Sequence, residues 1–410
     1  MRMSRKSAVM DKIARKHLLI VVPFGLAMRL SSIVLFRSYF RAADTALYVA
    51  LARSIIGGHG YAMLGHQSAF YPPLYPLFLA SIFLFAGENL LPVQVAQAFL
   101  SAAAIPVVYY LGRVMFDNWV AFWSAAILAI HPWIIYWSGF VLTDTLFLTI
   151  LTLAVLSFAF FMKTPTFSNA VVSGVLFGLA ALCRPQGLLI FVGGMAVWLI
   201  LFRHIHRKYR LLLPVTVAFL LVISPWIIRN YLVFDTLVIA DTSGGLDLYL
   251  GNNPAVSFTF GYSDPSQLPV LPATCGPSEP KTDTCFRNLA LQYIYQNPIS
   301  FTQLAARRSY LFWSPTYPTY SLVHNILNTV FYLPLYFGAL VGFIELARGS
   351  PSQKRFVWLF LTTVLLVTLT HAATVVDLDQ RYRLPLQPFL ALLAGSGLVH
   401  SPTYIRRARR

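Results

Sequence analysis

Apolar runs about twenty residues long recur down this chain and constrain its fold more than any other feature. A hydrocarbon core about 30 Å thick is crossed by about 20 apolar residues of helix. Runs of that length, bounded by charges, Pro or Gly, lie near residues 17–36, 91–111, 119–138, 141–162, 168–183, 187–202, 211–229, 322–344, 356–375 and 385–400. The expected fold is an all-α polytopic membrane protein with about ten transmembrane helices, eight to twelve once the short turns between neighbouring runs are allowed for. Of the 410 residues only 11% are charged and 57% are hydrophobic, against roughly a quarter charged in a soluble domain. A soluble enzyme, a disordered chain and a small disulfide scaffold are thereby excluded.

Charge then orients the spans. A formal charge of +17 in a soluble chain would suggest nucleic acid, but here it reads as topology, and no nucleic-acid partner is expected. With the N-terminus inside, nineteen of the 31 Lys and Arg fall in cytoplasmic segments, among them Arg203, Arg207, Lys208 and Arg210, beside only three acids, Asp11, Asp117 and Glu345. Both termini are therefore expected in the cytoplasm of a plasma (inner) membrane protein. The basic start runs into a full-length span without a small-residue cleavage site, so 17–36 is expected as a retained helix.

The spans group into a transmembrane module over 1–229, which includes a first extracytoplasmic loop over 37–90, an extracytoplasmic loop or cap over 230–321, and a second transmembrane module over 322–410 with a basic cytoplasmic tail. Loops this long are usually functional. A Cys275–Cys285 bridge in the second would fit an oxidising compartment, although spacing does not fix connectivity; Cys183 lies in an apolar span. A helix over about 287–312 is also expected in that loop.

The first loop opens with an amphipathic helix over 43–58, stopped by Gly57-Gly58, whose Leu47, Leu51 and Ile55 would lie on the membrane surface. Asp44 and Tyr48 are four residues apart and share a face. As a helix N-cap Asp44 would satisfy free N–H groups, but Ser or Asn would do so with less desolvation, so a chemical role can coexist with capping. Further on, three prolines in Phe70-Tyr71-Pro72-Pro73-Leu74-Tyr75-Pro76 are expected to prevent a regular helix start.

In order, the chain carries Asp44-x-x-x-Tyr48, Gly58-His59-Gly60-Tyr61, Pro72-Pro73-Leu74-Tyr75-Pro76-Leu77-Phe78-Leu79-Ala80, His131-Pro132, Thr143-Asp144-Thr145, Arg184-Pro185-Gln186-Gly187, Pro225-Trp226, Arg229-Asn230, Ser243-Gly244-Gly245, Gly251-Asn252-Asn253-Pro254 and Arg381-Tyr382-Arg383-Leu384-Pro385. This ordered set resembles the bacterial glycosyltransferases of the GT-C fold, relatives of the protein O-mannosyltransferases and of the aminoarabinose transferase acting on lipid A. The resemblance implies an integral enzyme that takes a sugar from a polyprenyl-phosphate donor at the outer face and inverts the anomeric centre, with Asp44 matching the family's first-loop acid. Many members carry Asp-Glu where Asp44-Thr45 stands, and the aminoarabinose branch has an acid–base pair where Phe70-Tyr71 stands. Donor and acceptor identity therefore do not transfer, and the acceptor is left as lipid, glycan or protein.

An inverting transfer needs a base for the acceptor proton and cations facing the departing phosphate. Asp44 is the candidate base and Asp144, at the mouth of a helical pair, the second catalytic acid. Arg184, Arg229, Arg381 and Arg383 are candidates for phosphate, Arg being shaped for bidentate contact; the alternatives for the last two are pairing with Asp377 or Asp379, or reaching lipid headgroups. Tyr48, Tyr71, Tyr75 and Tyr382 are aromatic candidates for substrate contact. Asn252 and Asn253 are candidates for acceptor hydroxyls, with a Gly-Asn turn as the equal alternative. None of His59, His66, His131 and His371 shows close metal-ligand spacing, so no metal or other cofactor is assigned, while a metal site assembled from distant segments stays open. A transporter or flippase of lipid-linked sugars, a polysaccharide polymerase and a scaffolding protein are the rival readings.

Overall fold

The computed structural model describes residues 5–36, 43–202, 210–259, 261–262, 275–276, 278–375 and 380–408. Residues 37–42, 203–209, 263–274 and 376–379, the last including Asp377 and Asp379, lie outside the described residues. The helices are α1 (Arg5–Phe36), α2 (Ala43–Ile56), α3 (Leu74–Ala86), α4 (Leu90–Met115), α5 (Asn118–Ala129), α6 (Pro132–Trp137), α7 (Thr143–Lys163), α8 (Phe167–Cys183), α9 (Gln186–Phe202), α10 (Leu212–Phe234), α11 (Gly244–Gly251), α12 (Glu279–Gln296), α13 (Pro298–Trp313), α14 (Leu322–Arg348), α15 (Pro351–Ala373) and α16 (Gln387–Ala408). A 3-10 turn over Arg381–Leu386 leads into α16, and a two-residue hairpin, Ala62–Met63 against His66–Gln67, lies in the first loop.

The protein is an all-α polytopic membrane protein. Among the described residues six helices are long and apolar enough to cross a membrane: Lys16–Phe36, Leu90–Met115, Thr143–Lys163, Leu212–Phe234, Leu322–Arg348 and Gln353–Ala373. Helices α3, α5, α8 and α9 are apolar but shorter. Close helix crossings rest on small residues: a Cβ on Gly342 would overlap the Leu393 carbonyl, and one on Gly397 the Gly338 carbonyl, so α14 and α16 meet backbone to backbone.

Three expectations are corrected. The run 119–138 is not one helix. Asp117 caps α5, accepting from Trp119 N–H at 2.8 Å and Val120 N–H at 2.9 Å, and α5 stops at Ile130 because Pro132 brings no N–H. His131 then caps α6, and the buried Arg29 of α1 donates to the freed carbonyls of Ala129 at 3.1 Å and Leu128 at 3.3 Å. The helix expected over 287–312 is two helices, since Pro298 starts α13 afresh after Asn297. The prolines of the first loop do not prevent a helix: Pro73 precedes α3 and Pro76 sits in its first turn, where no intrahelical donor is required.

Helix α2 also differs from expectation. Leu51 is fully buried against Tyr61, Ala69, Trp226 and Val238, and Tyr48 and Ala52 are buried too, so this face packs into the protein rather than onto a membrane surface.

The segment between α10 and α14 is fastened at several points. Glu279 accepts from the Ala69 N–H at 2.7 Å and the Thr242 hydroxyl at 3.1 Å, joining it to the first loop. The buried Arg308 donates to the carbonyls of Gly261 at 2.7 Å, Ala372 at 2.9 Å and Gly251, joining it to the end of α15. Cys275 and Cys285 form a disulfide.

Candidate active site

Four of the residues singled out in the sequence meet at one place. Asp44 stands in the first turn of α2, and Thr45 beside it donates to the Val141 carbonyl at 3.2 Å, tying this turn to the entry of α7. Asp144 stands in the first turn of α7, where the helix N-terminus favours a carboxylate. Arg184 ends α8 because Pro185 follows it, and Arg381 opens the 3-10 turn.

The charges alternate. Arg184 Nη2 lies 2.9 Å from Asp144 Oδ1, and its Nε donates to the Thr143 hydroxyl at 2.7 Å. Arg381 lies between the two acids, its Nη1 3.4 Å from Asp44 Oδ2 and its Nε 4.0 Å from Asp144 Oδ2. Exposure separates the carboxylates: the Asp44 side chain is 36% exposed and that of Asp144 1%. Asp144 is thus a buried counter-charge for two guanidiniums, whereas Asp44 is open to an incoming group.

Aromatic rings frame the cluster. The Tyr71 hydroxyl donates to Asp44 Oδ1 at 3.3 Å. Burial first, then Tyr48 and Asp44, raise the Tyr71 phenol above its ordinary value, so it remains a donor. Its ring lies 4.4 Å from that of Tyr48, which in turn meets Tyr75 edge-on at 5.0 Å. Tyr75 is buried below, donating to Gln97 Oε1 at 2.7 Å, and supports the site without facing it. On the other side Tyr382 stacks on His371 at 4.4 Å, His371 on Phe312 at 5.5 Å, and the Arg381 guanidinium lies over the Tyr382 ring at 5.1 Å.

The remaining candidates are placed elsewhere. Arg229 donates to the carbonyls of Ser68 at 2.6 Å and Tyr61 at 2.9 Å and to Gln67 Oε1 at 2.6 Å, and so holds the first loop. Arg383 is buried, donating to the Phe312 carbonyl at 2.9 Å, Tyr336 Oη at 2.6 Å and Gln380 Oε1 at 2.6 Å. Asn252 donates to the carbonyls of Leu248 and Ala373, both at 2.8 Å, and Asn253 to that of Tyr249 at 2.7 Å while accepting from Ala255 N–H at 2.8 Å. Asn253 thus bonds within its own turn, while Asn252 also ties the end of α11 to the end of α15. The disulfide lines a groove of about 410 Å³ with Lys281, Asn288 and Gln292. His131 bonds Gln387 at 3.0 Å. Among the described residues no three of His, Cys, Asp and Glu gather as a metal site would require.

Sequence reasoning missed Asp247. This half-buried acid of α11 lies within electrostatic reach of Asp44, Arg381, Asp283 and Arg184, and burial, followed by Asp44, pushes its carboxyl up to about 6. Nearby Asp241 is pushed up to about 7, by burial and then by Asp247. The missed signal was an acid between the Ser243-Gly244-Gly245 and Gly251-Asn252-Asn253 blocks.

Residues 71–228 match the model of a family described as dolichyl-phosphate-mannose-protein mannosyltransferase, a range that holds Tyr71, Asp144 and Arg184. No curated protein matches the sequence. Among solved structures, the oligosaccharyltransferase AglB from Archaeoglobus fulgidus, in complex with an inhibitory peptide and a dolichol-phosphate, is similar over 97% of this chain and 51% of its own, at 15% identity and a TM-score of 0.55. The apo oligosaccharyltransferase of the same organism matches over 96% of this chain and 51% of its own, at 14% identity and a TM-score of 0.56. ArnT from Cupriavidus metallidurans in the apo state matches over 88% of this chain and 78% of its own, at 14% identity and a TM-score of 0.45. The chain has the GT-C fold, and it spans about half the length of the oligosaccharyltransferases it resembles.

Proposed function

We propose that this protein is an inverting glycosyltransferase that moves a sugar from a polyprenyl-phosphate donor to an acceptor hydroxyl at the extracytoplasmic face of the membrane, with Asp44 as general base. The observation that carries the reading is the open carboxylate of Asp44 beside Arg381, which also adjoins the buried Asp144–Arg184 pair. The GT-C fold, and a structural neighbour solved with a dolichol-phosphate, support a lipid-phosphate donor. The concentration of Lys and Arg in the opposite loops supports the extracytoplasmic side.

In this reading the acceptor O–H donates to Asp44 while its oxygen attacks the anomeric carbon from the face opposite the phosphate. The new C–O bond forms as the bond to the phosphate oxygen breaks, the proton passes to Asp44 and the electron pair leaves with the polyprenyl phosphate. Tyr71 and Arg381 hold Asp44 oriented, and Arg381, with Arg184 behind it, meets the charge that grows on the leaving phosphate. Asp144 keeps both guanidiniums aligned. The acceptor is a lipid, glycan or protein hydroxyl.

The test is Asp44→Asn in purified protein reconstituted into vesicles, supplied with a radiolabelled undecaprenyl-phosphate hexose and an envelope extract as acceptor. Transfer should fall by about 10²-fold or more while insertion is normal. Transfer at the wild-type rate removes Asp44 as base, and sugar crossing the bilayer without covalent product replaces the transferase reading by a transporter.

A further inference from the structure

The Ser243-Gly244-Gly245 and Gly251-Asn252-Asn253 blocks flank α11, and their glycines pin it at both ends. A Cβ on Gly245 would overlap the Asp283 backbone of α12, and Asp283 Oδ1 accepts the Gly245 N–H at 2.5 Å. A Cβ on Gly251 would overlap the Thr374 carbonyl just beyond α15, where Asn252 also donates to Ala373 and Arg308 to the Gly251 carbonyl. The end of α15 is where His371 stacks on Tyr382, next to Arg381. Helix α11 is therefore wedged between α12 and the wall of the site, and Asp247 lies between its two pinned ends.

The acids around Asp247 have protein partners. Glu279 takes the Ala69 and Thr242 donors, and Asp283 takes Gly245 and forms an ion pair with Arg287. The Asp247 carboxylate, half-buried, makes no hydrogen bond or ion pair among the described residues. A carboxylate removed from water without donors is unfavourable, and this one, on a helix packed against the end of α15 beside the site, lies within electrostatic reach of Asp44, Arg381, Asp283 and Arg184. An acid there repels a phosphate, so the complementary part of a sugar-phosphate lipid is its neutral, hydroxyl-bearing ring. Each ring hydroxyl is a donor, and a carboxylate accepts two or more of them.

We infer that Asp247 is a specificity residue for the donor, accepting hydrogen bonds from hydroxyls of the sugar joined to the phosphate that Arg381 faces. This rests on the glycosyl-transfer reading. It assigns the sugar-holding role to the segment between α10 and α14 and the phosphate-holding role to the 3-10 turn.

The test needs no acceptor. Full-length protein in nanodiscs is titrated with undecaprenyl phosphate and with undecaprenyl-phosphate glucose, mannose and galactose. Wild type should bind one sugar-bearing lipid more tightly than the sugar-free lipid. Asp247→Ala should weaken that sugar-bearing lipid about tenfold and leave undecaprenyl phosphate within twofold; Asp247→Asn, which keeps an accepting oxygen, should fall between. Unchanged sugar-lipid affinity in both variants overturns the assignment. Equal weakening of both lipids also overturns it, because Asp247 would then act only through the arginines. Wild-type protein that binds none of the lipids overturns the glycosyl-transfer reading and this inference with it, an outcome distinct from the other two.

Discussion

Arg381 reaches Asp44 across 337 residues of sequence, Nη1 to Oδ2 at 3.4 Å, and brings the last turn before α16 against the first turn of the first loop. The same guanidinium is 4.0 Å from Asp144, so one cation adjoins an open acid and a buried one.

Replacing Arg381 should separate its charge from its shape. Arg381→Ala should lower turnover about 10²-fold and weaken binding of undecaprenyl phosphate, and Arg381→Lys should recover part of the binding but less of the turnover, since an ammonium lacks the planar fork. Steady-state kinetics with a lipid-binding titration measures both. Wild-type binding and turnover in the Ala variant would reduce Arg381 to a partner of the two acids.

The Asp144–Arg184 pair should behave as a buried unit. Asp144→Leu alone leaves Arg184 without its carboxylate and should destabilise the protein by about 3–5 kcal/mol, whereas Asp144→Leu with Arg184→Met should regain much of that stability. Thermal unfolding of the purified variants gives the cycle. Activity should remain lost in the double variant, because Arg381 then lacks its buried counter-charge; an active double variant would make the pair dispensable.

The acids of the second long segment set a pH dependence. In the folded protein the Asp241 carboxyl is pushed up to about 7 and that of Asp247 to about 6, from an ordinary 3.8. Through these two groups folding takes up protons between about pH 4 and 7; their contribution to stability is greatest below that window and is lost as pH rises through it. Hydrogen exchange over 236–251, corrected for intrinsic rates, should show more protection at pH 5 than at pH 8, and Asp241→Asn should flatten the difference. Protection that grows toward pH 8 would contradict the placement of both acids.

Gly251→Ala should undock α11. The added methyl would overlap the Thr374 carbonyl, which is backbone at the end of a helix and cannot swing aside. Limited proteolysis should cut 230–321 faster in the variant than in wild type, with α14 to α16 intact. Equal cleavage rates would mean that this approach is not needed for docking.

Apolar run length was legible in the sequence because a helix in lipid satisfies its own backbone whatever surrounds it. The break at Ile130–His131 was less so: His131-Pro132 marks it, but the stretches on either side are apolar enough to read as one span, and what stabilises the interruption is Arg29, about a hundred residues away. Asp44, Asp144, Arg184 and Arg381 were legible as charges at span ends. Arg229 and Arg383 have the same signature, yet their guanidiniums are taken up chiefly by carbonyl and side-chain oxygens of their own protein, and sequence spacing does not distinguish a carbonyl from a phosphate. Leu51 looked like a membrane-facing residue because helical periodicity gives a face, not the identity of what covers it. Asp247 escaped notice because its helix is short and glycine-flanked, and its significance comes from α12 and α15, which wedge it in place.

Arg29 lies fully buried within the apolar part of α1, its donors spent on Ser101 at 2.7 Å, on Gly25 of its own helix at 2.7 Å and on the carbonyls that α5 exposes where it stops. Three of those four acceptors are made by the ribosome about seventy to a hundred residues later than the cation. A guanidinium within an apolar span is unfavourable until they arrive. The first helix is therefore not a self-sufficient anchor: its arginine is satisfied only once α4 and α5 lie beside it.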